Sequence, residues 1–170
     1  MDDYSFNLHR HNFAIWTAAA AVRRGFTNNE NIKVAINNSS LREFVEESLK
    51  YSQNEFDVFH HLCALKMIET FKGIGISNAS YGRVSKIISI YLKTSIILCN
   101  KSECDKSDII HPPIDGILLK NIGAEFQELK SLKDARWTTF DKDEYWIVVS
   151  KIRNHFGKFN WTLEKYWEVK

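Results

Sequence analysis

Glycine and proline are scarce in this chain of 170 residues: there are seven Gly and two Pro. A β-sandwich or barrel needs many tight turns, so that architecture is disfavoured. Cysteine is scarce too, with three in all, an odd number that points away from a disulfide scaffold and towards a reducing compartment. Charge of one sign is missing: 23 Lys and Arg against 21 Asp and Glu leave a net charge of +2. The protein is not a polycation, and any nucleic-acid site must be a local patch. The longest apolar stretch, Ile87 to Cys99, is interrupted by Lys93 and is too short to span a membrane. The opening MDDYSFNLHRHNF starts acidic and lacks the basic-then-apolar order of a signal peptide. These absences predict a soluble, cytoplasmic protein. Missing as well are the P-loop, GxGxxG, HExxH and G-x-S-x-G signatures. Arg153-Asn154-His155 is too tight for the Arg-x4-6-His motif of small helical ribonucleases.

What remains is apolar and helical. The hydrophobic fraction is 44 % and the aromatic fraction 13 %, enough to bury a core. Offsets of three and four residues recur almost everywhere. His9 to Arg24 predicts a helix with Phe13, Trp16, Ala20 and Arg24 on one face, stopped at Gly25. A short helix is expected from Asn29 to Ile36. Ser40-x-x-Glu43 has the form of a capping box and predicts a helix to about Tyr51. Asn54 is the expected cap of the next, with Phe56, Phe59, Cys63, Met67 and Phe71 in register. Asn78 or Ser80 opens a fifth, to about Leu98. CNKSECDKSDIIHPPID reads as the clearest loop, of a length usually functional or mobile. Asp115 is the expected cap of the helix carrying Ile117 to Ile122. Helices are also expected over 124–132, from Thr139 or Asp141 to Phe156, and around Trp161 to Trp167. The fold class is therefore all-α, about eight helices in a single compact domain over 1–170.

Several residues could carry chemistry. Lys86 and Lys93 are seven apart, on roughly one helix face. Lys93 lies among Ile90, Tyr91, Leu92, Ile96 and Ile97, a setting that favours a neutral, nucleophilic amine; it equally suits a lysine snorkelling from a buried helix. Asp115 follows two prolines, which hold its carboxylate at a helix start, as a plain cap or facing a pocket. Cys99, Cys104 and His111 form C-x4-C-x6-H, which matches no standard zinc signature. The residues call for no metal and no cofactor. His11, Trp16, His60 and His61 are aromatic hydrogen-bonders suited to stacking on a base; as core or helix-face residues they need no such role. Lys86, Lys101, Ser102 and Lys106 are candidate phosphate contacts.

The segments KIISIYLKTSIIL and HPPIDGILLKNI, with WTTFDKDEYWIVVSKIRNHFG and WTLEKYW after them, resemble the helix-hairpin-helix DNA glycosylase superfamily. The pattern is most like the archaeal 8-oxoguanine glycosylase type and its small bacterial relatives. It covers about residues 81–170. The resemblance implies DNA as partner, Lys93 as the amine that attacks the sugar C1′ and forms a Schiff base, and Asp115 as the acid that assists proton transfer and stabilises positive charge. The superfamily's hairpin is short and Gly-rich, whereas here no Gly lies between Asn100 and Asp115. The substrate implied is a damaged or modified base, with bacterial defence against modified phage DNA as one setting; a non-catalytic helical module binding nucleic acid or protein, in a bacterial defence system, is the alternative. A structural partner protein using Trp16, Trp137, Trp146, Trp161 and Trp167 as core or interface is the third.

Overall fold

The computed structural model describes residues 4–101 and 106–168, with Asn100 and Lys101 as backbone only. Seven α-helices run in order: α1 Phe6–Val22, α2 Asn29–Asn37, α3 Leu41–Glu46, α4 Gln53–Gly73, α5 Tyr81–Leu92, α6 Gly116–Glu125 and α7 Lys142–Phe156. A π-helix, Lys93–Lys101, continues α5. Short 3-10 turns cover Ser107–Ile109, Gln127–Asp134, Trp137–Thr139 and Trp161–Tyr166. No strand occurs among the described residues, so the all-α expectation holds. No helix among them is long and apolar enough to cross a membrane.

α5 is the axis of the fold. Ser80 caps it by accepting from the Arg83 amide. Nine of its twelve residues are buried, and it packs on α1, α4 and α7. Each large apolar side chain fully withdrawn from water, such as Ile87, Ile88 and Leu92, contributes about 1.5–3 kcal/mol. Its only partly open stripe is Arg83, Lys86 and Ile90, continued by Lys93. That spacing of three, four and three follows one side of a helix, and it is the side that faces the site.

α1 meets α5 through the small residues Ala14, Ala18 and Ala19, which let the two backbones approach. The stripe of Phe13, Trp16, Ala20 and Arg24 points to solvent instead of the core, and Phe13 and Trp16 stack on each other outside. Bulk alone gave the wrong face, because a helix packed tightly against another buries its small residues.

Caps account for most helix starts. Ser52 and Glu55 form a full capping box on α4, and Asp141 and Glu144 form one on α7. The box expected at Ser40 is absent; Ser40 makes no side-chain cap bond, and α3 stops at Glu46. Where α3 ends, the buried ammonium of Lys106 donates to the carbonyls of Phe44 and Glu47 and lies 4.5 Å from the centre of the Phe44 ring. Orphan carbonyls at a helix end are satisfied there by a lysine from far along the chain. The expected loop 99–115 is largely not a surface loop: the π-helix runs into it, and Ile109 to Asp115 are buried.

Candidate functional site

Asp115 caps α6. Its Oδ1 accepts from the amides of Ile117 and Leu118, both at 3.0 Å. The preceding segment His111-Pro112-Pro113-Ile114 is buried and anchored by His111. His111 Nε2 lies 3.0 Å from Asp57 Oδ1, and Nδ1 lies 3.0 Å from the Tyr145 hydroxyl. A carboxylate only accepts, so Nε2 carries the proton, and the neutral ring accepts at Nδ1 from Tyr145. Arg153 closes on Asp57 with two bonds, at 2.7 and 3.1 Å. Burial would raise the Asp57 pKa, but the bonds from His111 and Arg153 outweigh it and hold the carboxyl well below its usual range. α4, α7 and the approach to Asp115 are thereby locked together.

The second oxygen of Asp115 faces a cavity of ≈ 270 Å³, lined by Thr17, Ala21, Lys86, Lys93, Glu164 and Trp167 among others. Oδ2 accepts from Lys86 Nζ at 3.1 Å and from Trp167 Nε1 at 2.8 Å. The side chains of Lys86 and Asp115 are 11 % and 10 % exposed. The Lys86 ammonium also lies over the Trp137 ring, 4.6 Å from its centre. Trp137 is brought there by a backbone approach: Gly82 sits one turn before Lys86, and a Cβ on it would stand 1.9 Å from the Trp137 carbonyl oxygen. Lys93 opens the π-helix at the same cavity and is ion-paired with Glu164, not left bare among aliphatic side chains. A π turn re-aims side chains and recurs at functional sites.

The structure thus brings Lys86, Lys93 and Asp115 to one cavity, but it is Lys86, not Lys93, that touches Asp115. The remaining candidates lie elsewhere. His11 is a buried core residue, 2.7 Å from the Tyr91 hydroxyl and 3.0 Å from Asn37 Oδ1. Trp16 stands on the outer face of α1. His60 is fully buried and stacked on Tyr145, and burial pushes its pKa well below the usual value. His61 is half-buried, 3.0 Å from the Tyr81 hydroxyl. None of the four lines the Asp115 cavity. Lys86 and Lys106 are engaged inside the fold, with Asp115 and with the carbonyl of Glu47. The Lys101 side chain, Ser102 and Cys104 lie outside the described residues. No cluster of His, Cys, Asp and Glu suited to a metal occurs among the described residues.

Sequence reasoning did not place Trp137, Glu164 or Trp167 at this site; it named the two tryptophans only as core or interface residues. Glu164 and Trp167 stand in WTLEKYW, where the resemblance already ran, but nothing in their spacing told which side of a 3-10 turn they take. No family model, no curated protein and no solved structure matches this chain.

Proposed function

We propose that this protein is a DNA N-glycosylase with abasic-site lyase chemistry, acting through Lys86 and Asp115. The observation that carries the reading is the ion pair between these two side chains, nearly withdrawn from water at the wall of one cavity. A nucleophilic amine needs an acceptor for its proton within one hydrogen bond, and Asp115 Oδ2 is that acceptor for Lys86. At ≈ 270 Å³ the cavity falls just below the usual range of ligand pockets, about 300 to 1,000 Å³, a size for a single flat ring system and not for a duplex. The target nucleotide would have to be extruded to enter it.

The chemistry balances as follows. Lys86 gives a proton to Asp115 and attacks C1′. The C1′–N bond breaks, and the departing base takes up that proton. As it hands that proton to the departing base, Asp115 becomes a carboxylate again and offsets the positive charge left at C1′ and the Lys86 nitrogen. The C1′–O4′ bond then breaks, O4′ takes a proton from the Lys86 nitrogen, and the opened sugar is left as a Schiff base on Lys86. The regenerated Asp115 carboxylate takes the C2′ proton, the electron pair expels the 3′-phosphate with the C3′–O bond, and water hydrolyses the Schiff base to free Lys86.

Borohydride trapping tests this with oligonucleotides carrying an abasic site, 8-oxoguanine, uracil or a hypermodified cytosine. The expected result is a covalent adduct lost in Lys86→Ala and retained in Lys93→Ala. An adduct lost only in Lys93→Ala would return the nucleophile to Lys93. Absence of both adduct and base release on every substrate would leave a helical binding module.

A further inference from the structure

Asp115 has four acceptor directions, and all are filled. Two backbone amides hold Oδ1; Lys86 and Trp167 hold Oδ2. These four donors do not behave alike during the proposed reaction. The amides stay in place. Lys86 loses a proton and turns to bond a carbon, so its bond to Oδ2 is broken at the moment positive charge appears at the sugar. Trp167 is then the one donor still aiming that oxygen into the cavity.

We infer that Trp167 is a positioning residue for Asp115, acting through its indole N–H. The inference rests on the reading of Lys86 and Asp115 as the catalytic pair. The indole is delivered by a segment pinned along its length. The Trp167 amide donates to the Glu164 carbonyl at 2.8 Å. The Asn121 side-chain amide donates to the Tyr166 carbonyl at 2.8 Å, and Tyr166 packs on Phe126 and Phe156. Glu164 is tied across the cavity to Lys93. Trp167 itself is 42 % exposed, so it contributes little to the core. A half-exposed tryptophan held by so many anchors, with its one donor spent on a buried carboxylate, is placed for that bond and not for packing.

Trp167→Phe keeps the ring and removes the donor. The expected result is a fall in the single-turnover rate of about 10- to 100-fold, the size typical of losing an outer partner that orients a reacting group. DNA affinity stays within twofold of wild type, and the urea midpoint falls no further than in Lys86→Met, which likewise removes one donor from the same oxygen. An activity-independent arm uses the Trp167 indole ¹H–¹⁵N resonance, identified by its disappearance in Trp167→Phe. Asp115→Ser keeps the helix cap and removes Oδ2. In that variant the resonance is expected to move and its hydrogen exchange to quicken at least tenfold, whereas in Lys86→Met both stay near wild type. A Trp167→Phe rate equal to wild type, or a resonance indifferent to Asp115→Ser, would overturn the inference. Wild-type protein inactive on every substrate would sink the glycosylase reading alone, and the resonance would then decide the positioning.

Discussion

Removing Asp115 should cost far more than removing Lys86, although the two share one ion pair. Without Lys86, the Asp115 carboxylate keeps three donors: the amides of Ile117 and Leu118 and the Trp167 indole. Lys86→Met also keeps an apolar side chain of similar length. Losing one charged hydrogen bond from a group otherwise satisfied costs about 1–2 kcal/mol. Without Asp115, the Lys86 ammonium keeps only the Trp137 ring and stays 11 % exposed. Stranding a nearly buried charge costs about 3–5 kcal/mol. Asp115→Ala adds the lost N-cap of α6, about 1 kcal/mol, while Asp115→Asn keeps the cap. The expected losses are therefore about 4–6 kcal/mol for Asp115→Ala, about 3–5 for Asp115→Asn and about 1–2 for Lys86→Met. The double variant Lys86→Met/Asp115→Asn holds no stranded charge and should cost about 1–2 kcal/mol, leaving a coupling of about 3–5 kcal/mol. Equilibrium urea unfolding at pH 7, with the slope checked for constancy, reads all four. Two outcomes would refute the reasoning: equal costs for the two single variants, or a double-variant cost equal to their sum.

Four other outcomes follow from the geometry. Gly82→Ala should destabilise by about 1–3 kcal/mol despite the better helix propensity of alanine, because its Cβ meets the Trp137 carbonyl; thermal unfolding checks this, and a stabilised variant would contradict the close approach. Tyr145→Phe should cost about 2–4 kcal/mol, since the hydroxyl bridges His111 and His60 and its loss leaves two buried ring nitrogens without partners; a loss under 1 kcal/mol in urea would argue against the relay. His60 and His111 have pKa values lowered first by burial, so the unfolded chain takes up protons that the folded chain refuses. Stability is then full above about pH 6.5 and falls by about 1.4 kcal/mol per unit for each histidine as the pH drops below it; urea midpoints from pH 8 to 5 that stay flat would exclude this. Trp16→Ser on the exposed face of α1 should change stability by no more than about 0.5 kcal/mol, and a loss above 2 would mean that face is covered.

Helical class, element order and several caps were open to reading from local pattern alone. Ser80 and Asp115 cap where the polar residue precedes the apolar period, because a capping bond closes within three residues and needs no distant partner. The shared face of Lys86 and Lys93 follows from helical geometry in the same way. What tertiary structure alone decided is which lysine meets Asp115. The two lysines lie 29 and 22 residues before it, and no local rule ranks them. The choice is made by where the cap of α6 meets Lys86, by the Gly82 contact that sets Trp137 over Lys86, and by Glu164, which arrives from 71 residues away to claim Lys93. His60 and His111 likewise look like site residues as letters. They become core only because α4, α7 and the approach to Asp115 close around them and leave no path to water. Periodicity reports a chain's relation to its own axis, while a site is a relation between axes, and burial and charge pairing fix that only once the helices have packed.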